Sequence, residues 1–292
     1  VAVERRFDRS AEDLGNIINF GHLNLTVPDQ VQATAFYIAG LGLTRDPYMS
    51  TGTRNMWVNV GRSQFHLPTA ARAQVFRGRI GLVVPDLDAL EQRLIATKGE
   101  LAGTQFAFER HAEAVSATCP WGNRFIMHAP DDARFGPFVT AFAHLDFVVP
   151  SGSAAAIARF YRDIMGATSN DVAGNPPGAV VQVGEKQYFR FRESPVVPEN
   201  DGHHVQIYIT NFSGPYARLA ERGLITQESN RHQYLFRNIV DPESGEVLYV
   251  LHHEIRSATH PMFARPLVNR NAALPDHYAQ GYEDQPWAAR QM

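Results

Sequence analysis

A short run of alternating apolar and polar residues that ends in a polar turn recurs four times along the chain. The copies are GHLNLTVPD (21–29), GRIGLVVPD (78–86), AHLDFVVPS (143–151) and HHVQIYITN (203–211). Alternation at period two marks a strand with one face against a core. Matching the ends of the copies makes His22, Arg79, His144 and His204 equivalent, at steps of 57, 65 and 60 residues. That spacing is too long for a helical solenoid and too short for a domain.

Each strand leads into a helical pattern. Pro28-Asp29 precedes VQATAFYIAGLG, and Ser151 or Ser153 precedes a segment presenting Ile157, Phe160, Tyr161 and Ile164 and ending at Gly166. DLDALEQRLIATKG and NFSGPYARLAERG play the same part in the second and fourth copies. Small polar residues open such helices and glycine closes them. Short alternating runs follow every helix, from NMWVNVG and SQFHLP in the first copy to QYLFRNIV and EVLYVLHHE in the last. One strand, one helix and about three strands make a βαβββ module. A single module cannot close a core, so modules must pair.

The predicted fold is therefore α+β, with four βαβββ modules paired into two domains and curved mixed sheets enclosing clefts. The turn-rich segment DDARFGPFVTAF (131–142) reads as the linker. The expected organisation is an N-terminal tail over 1–15, a first domain over 16–135, a second over 136–256 and an extended C-terminal arm over 257–292. The arm would lie over the protein or a second subunit, so a homo-oligomer built through it is one expected assembly.

Composition narrows the function classes. The chain is 44% hydrophobic and 20% charged, with net charge −3, and no basic stripe favours nucleic acid as a partner. The first fifteen residues are charged, and no apolar run approaches the ~20 residues that span a bilayer. The single cysteine, Cys119, rules out an internal disulfide framework and reads as a small core hydrophobe. These features point to a cytoplasmic protein with a small-molecule substrate and no membrane partner.

On the first strands His22, Asn24 and Thr26 oppose Leu23, Leu25 and Val27. His144 and Asp146 oppose Leu145 and Phe147, and His204, Gln206 and Tyr208 oppose Val205, Ile207 and Ile209. The apolar face should carry the helix and the polar face should look into a cleft. Histidines at matched depth in a polar cleft suit a divalent ion, because neutral imidazole ligates zinc and iron well.

The segments HLNLTVPD…FYIAGLGL (22–43), HLDFVVP…FYRDIMGA (144–167) and VDPESGEVLYVL (240–251) resemble the vicinal-oxygen-chelate superfamily, which includes glyoxalase I and the extradiol ring-cleaving dioxygenases. The resemblance covers about 22–254, and the module count is closest to the one-chain dioxygenases. It implies a metal-dependent enzyme acting on a small oxygenated molecule, with Fe(II) first among the ions and Mn(II) or Zn(II) as alternatives. An extradiol-type dioxygenase leads; a glyoxalase-like lyase or isomerase, or a metal-free binding protein, are the other readings.

By that resemblance the ligand histidines map onto His144 and His204. The usual third ligand, a glutamate four residues after the glycine of the DP-x-G turn, falls on Tyr249. Either Tyr249 or, through a strand irregularity, Glu254 would complete the set. Asp146, Gln206, Tyr208 and Tyr249 are then expected at the substrate, with His203 and His253 as acid–base groups. His22, His66, Arg79 and His128 form a second candidate site in the first domain. Arg79 there favours a carboxylate or phosphate over an ion.

Overall fold

The computed structural model describes residues 9–49, 54–136 and 138–269. The four modules follow the expected order. The first comprises β1 (Ile17–Asn24), α1 (Gln30–Ala33) passing into a π-helical turn (Thr34–Gly40), β2 (Thr44–Arg45), β3 (Asn55–Val60) and β4 (Ser63–Pro68). The second comprises β5 (Gly78–Val83), α2 (Leu87–Ala96), β6 (Ala107–Arg110), β7 (Ala114–Thr118) and β8 (Arg124–His128). β9 (Ala141–Pro150), α3 (Ala154–Arg159) with its π-helical turn (Phe160–Ile164), β10 (Ser169–Val172), β11 (Gly178–Gly184) and β12 (Gln187–Ser194) form the third. β13 (His204–Ile209), α4 (Ser213–Glu221), β14 (Ile225–Asn230), β15 (Gln233–Val240) and β16 (Val247–Ser257) form the fourth.

Local chemistry starts the helices where the pattern places them. The carboxylates of Asp29 and Asp86 accept the first free N–H groups of α1 and α2. Ser153 opens α3, but its hydroxyl turns back to the carbonyl of Pro150. Glu193, from β12, reaches across to accept the N–H of Ala154 instead. A long-range side chain replaces the local cap.

The sheets join the modules in an order that differs from the expected one. One eight-stranded sheet runs β14-β15-β16-β13-β1-β4-β3-β2 and joins modules one and four; the other runs β10-β11-β12-β9-β5-β8-β7-β6 and joins modules two and three. The junctions are the antiparallel pairs β1–β13 and β5–β9. Once β5 pairs with β9, β1 and β13 are left as open edges, and each covers the other.

Packing between the sheets follows chain order instead. Phe36, in the π turn of module one, packs on Phe125 of module two with ring centroids 5.3 Å apart. Phe160 of module three packs on Phe236 of module four at 5.8 Å. Phe20 meets Phe142 and Phe189 of the other sheet edge-on, at 5.0 and 5.5 Å. The apolar faces of both sheets thus share one continuous core. Each fully buried phenylalanine contributes about 1.5–3 kcal/mol. With the apolar faces turned inward, the polar faces become two separate concave clefts on opposite sides. Cys119 lies in the shared core, where burial pushes its thiol pKa up.

After β16 the chain crosses back over its own first cleft. Asn59 donates to the carbonyl of Val268, and Asn269 exchanges hydrogen bonds with the backbone of Gly61. Of the expected tail and arm, residues 1–8 and 270–292 lie outside the described residues.

Candidate metal centre

The β1–β13 junction sets the geometry of the first cleft. Register places His22 opposite Gln206 and Asn24 opposite His204. The parallel outer neighbours set Asn24 level with His66 and Gln206 level with Glu254. The same two positions recur in every module: one on the first strand, and one on the last strand level with the residue two further on. They hold His22 and His66, Arg79 and Ile126, His144 and Arg190, and His204 and Glu254.

Three of these groups converge. His22 Nε2 lies 3.3 Å from His204 Nε2, and Glu254 Oε2 lies 3.6 Å from His204 Nε2 and 4.0 Å from His22 Nε2. Two ligands each ~2.0–2.1 Å from one ion lie about 3–3.4 Å apart, so the three atoms need only small shifts to share it. Burial drives the His22 pKa down, helped by His204 and Arg256, and takes His204 to about 3. Both imidazoles are therefore neutral, the form that ligates. Burial raises the Glu254 carboxyl pKa although Arg256 opposes it. A bound cation would relieve that cost. Arg256 Nε stands 2.6 Å from Glu254 Oε1, but its N–H is aligned on Gln233 Oε1 at 3.1 Å, so the contact with the carboxylate is mainly Coulombic. His66 occupies the fourth position; it stacks on Trp57 at 3.9 Å and holds Asn55 Oδ1 with Nε2 at 2.8 Å.

A cavity of about 270 Å³ adjoins this cluster. His22, Gln206, Tyr208 and Arg256 line its floor, while Phe263 and Arg265 of the arm form its roof. Gln206 is fully buried and neither atom of its carboxamide has a partner among the described residues. Gly21 makes its position possible, since a Cβ there would stand 1.7 Å from Gln206 Oε1.

The expected site is therefore redistributed. His144 and His204 stand in different sheets, so they do not share an ion. The second candidate group divides too, with His22 and His66 in one sheet and Arg79 and His128 in the other. His144 instead faces Asp146 at 2.8 Å, Arg190 at 2.5 Å and His128 at 3.1 Å. Asp146 is thereby placed in the second cleft.

Tyr249 is buried beside Phe147, under the guanidinium of Arg77, on the core-facing side of β16 with Leu251 and Ile255. Residues 250–253 carry a register shift against β15, yet the alternation is kept, and Glu254 reaches the cleft without a change of face. His253 belongs to the core-facing side: Tyr161 Oη bonds its Nε2 at 2.7 Å, and its ring stacks on Phe236. His203 is buried against Phe76, with Nδ1 2.6 Å from Asp201. Neither His203 nor His253 shares the cleft face of His204 and Glu254. Arg256 and Arg265 escaped the sequence reading. Arg256 was signalled only by standing two residues beyond Glu254, and Arg265 by nothing local.

No protein-family model matches the chain, and no match is found among curated proteins. Solved structures do match. A "putative dioxygenase" from Bacillus subtilis superposes with a TM-score of 0.56 at 15% identity, over 86% of this chain and 88% of that one. Glyoxalase I from Zea mays superposes with a TM-score of 0.58 at 13% identity, over 82% of this chain and 92% of that one. The chain has the fold of the vicinal-oxygen-chelate superfamily. Among the described residues no helix is long and apolar enough to cross a membrane.

Proposed function

We propose that the chain is a metal-dependent enzyme acting on a small molecule with neighbouring oxygens, and that its ion is held by His22, His204 and Glu254. The convergence of these three donors, the only such group among the described residues, carries the reading. Two neutral imidazoles and one carboxylate leave open positions for two substrate oxygens, a set suited to Fe(II) and open to Mn(II) or Zn(II). That ion would supply Lewis acidity beside the cavity. The chain's own residues bind and orient. Gln206 offers a donor and an acceptor to substrate oxygens, Tyr208 and Phe263, packed on each other, form an aromatic wall for an apolar body, and the arm excludes water.

An extradiol-type ring-cleaving dioxygenase is the first assignment, because the donor set matches the two-histidine, one-carboxylate arrangement of oxygen-using iron sites. His66 favours a glyoxalase-like lyase or isomerase as the second, because it places a fourth side chain of ligand type at the remaining equivalent position. The test is turnover of catechols against α-keto aldehyde thiol adducts by protein loaded separately with Fe(II), Mn(II) and Zn(II). Oxygen uptake with a catechol supports the first assignment, and isomerisation of the adduct supports the second. Protein that takes up none of the three ions would be a metal-free binder.

A further inference from the structure

At the positions that hold metal-type side chains in the first cleft, the second cleft presents two arginines, an isoleucine and a single histidine. Where modules one and four present His22, His66, His204 and Glu254, modules two and three present Arg79, Ile126, His144 and Arg190. The one carboxylate beside them, Asp146, is already engaged. Arg79 Nη2 stands 3.2 Å from it and Arg190 Nε 2.5 Å. Two guanidiniums at the ligand positions repel a cation and leave no free anionic donor.

We propose that this cleft is a second binding site, for a small organic oxyanion, a carboxylate or a phosphate monoester with an apolar body. The cavity is about 570 Å³ and lies along the concave face of the sheet. Arg79, Arg124 and Arg192 line it from three different strands, and Asp146 and Glu109 are the only acids among its lining residues. With Arg190 behind Asp146, four guanidiniums face two carboxylates. Arg79 keeps 43% of its side chain exposed despite its ion pair, so its fork still reaches the cleft. Arg124 and Arg192 are exposed and form no ion pair among the described residues. Asp146 acts as a brace that aims Arg79 and Arg190, since a guanidinium already fixed on one side loses less freedom on binding an oxyanion. Ala107 and Val148, in strand phase with Arg124 and Asp146, supply apolar surface in the same wall. That surface favours an organic anion over a bare inorganic one.

The site does not depend on the metal centre. The two clefts lie in different sheets, and the variants that test them do not overlap. Calorimetric titration would use benzoate and phenyl phosphate, with inorganic phosphate and benzyl alcohol as comparators. Saturable binding of benzoate or phenyl phosphate that weakens at high salt is expected, with no binding of benzyl alcohol. Arg79→Gln should weaken it by about tenfold or more, the loss expected for one charge-assisted fork. Arg192→Ala and Arg124→Ala, both at exposed positions that do not threaten folding, should weaken it by about three- to tenfold. His204→Ala and Arg265→Ala should leave it unchanged. Absence of saturable binding, or binding retained in all three arginine variants but lost in Arg265→Ala, would overturn the assignment. Inorganic phosphate binding as tightly as phenyl phosphate would overturn the organic class.

Discussion

His22 and His204 are 182 residues apart in sequence, yet their Nε2 atoms lie 3.3 Å from each other across the β1–β13 junction. The contact exists because the first and last modules complete one sheet. If it marks a metal centre, either imidazole is indispensable. His22→Ala and His204→Ala should each lower metal affinity by about 100-fold or more, because two remaining donors rarely hold an exchangeable ion. His144→Ala should keep the wild-type metal content. Elemental analysis of protein equilibrated with one metal buffer checks this. A His144→Ala protein that comes out empty beside a loaded His204→Ala protein would place the ion in the other cleft.

The phenol of Tyr249 gives a sharper discrimination on β16. Its hydroxyl is buried without a hydrogen-bond partner among the described residues, and Arg77 packs on the ring face 4.1 Å from its centroid. Burial pushes its pKa up to about 12, so it is not a phenolate in the absence of an ion. Tyr249→Phe keeps the ring and removes the unpaired oxygen. Metal content should not change, and stability should be unchanged or higher by up to about 1 kcal/mol. Denaturant unfolding and metal analysis of that one variant would show whether the phenol has a role.

The elements of the fold were legible because each module is written in local terms: two-residue alternation, polar turns, Asp29 and Asp86 as caps, and glycines after the helices. The partnership between modules was not. All four first strands carry the same alternation, so nothing local tells β1 whether its edge will meet β5 or β13. Assigning partners by chain order held for the helix packing, with Phe36 on Phe125, and failed for the sheets. The resemblance puts both ligand histidines in modules three and four, at His144 and His204, whereas the sheet pairing sets His204 beside His22. Glu254 was within reach of the sequence, since it shares strand phase with His252 and Arg256. Gln206 was legible as a cleft residue, but its dependence on Gly21 requires the register shift in β1 between Phe20 and His22.

That dependence can be measured directly. A methyl group at position 21 would meet Gln206 Oε1 at 1.7 Å and Tyr208 Cε2 at 2.8 Å. Gly21→Ala should force the carboxamide out of its place and cost about 1–3 kcal/mol, the usual range for overpacking. Gln206→Ala in the same background should restore most of that stability. Ligand affinity in the first cleft should stay weak in the double variant. A double-mutant cycle by denaturant unfolding should show coupling of about 1 kcal/mol or more, and additive effects would mean that the two residues do not meet.

His128 links the second sheet to pH. Its ring is buried against Phe135 and hydrogen-bonded to His144, and burial, with His144 second, brings its pKa down to about 4. The unfolded chain binds its proton near pH 6.5, whereas the folded chain resists it. A histidine with a lowered folded pKa stabilises most above pH 6.5, and that contribution is lost as pH falls from 6.5 towards 4. The loss is of the order of 2–3 kcal/mol. His128→Gln keeps a hydrogen-bonding group for His144 and removes the titration. Its stability should therefore fall less steeply than wild type between pH 6.5 and 4.5, by up to one proton's worth of slope. Parallel slopes for the two proteins would assign the acid sensitivity elsewhere.

A buried ion pair helps to fix the roof of the first cleft. Arg265, in the arm, places Nη2 2.5 Å from Asp46 Oδ2, and the Asp46 side chain is fully buried. Gln64 and the N–H groups of Tyr48 and Met49 complete the shell of that carboxylate. Burial alone would raise its pKa; Arg265 and the two N–H groups overcome this and hold it below the usual carboxylate range. Arg265→Ala would leave Asp46 buried with neutral donors only and would free the segment that carries Phe263 over Tyr208. The global fold should survive, because the core lies on the other side of the sheet, but stability should fall by about 1–3 kcal/mol. Ligand affinity in the cleft should fall while metal content stays at the wild-type level, since no arm residue belongs to the donor set. Asp46→Asn in the Arg265→Ala background removes the stranded charge and should recover stability without recovering affinity. If the single variant binds ligand as tightly as wild type, the arm is a brace for the sheet and not a wall of the site.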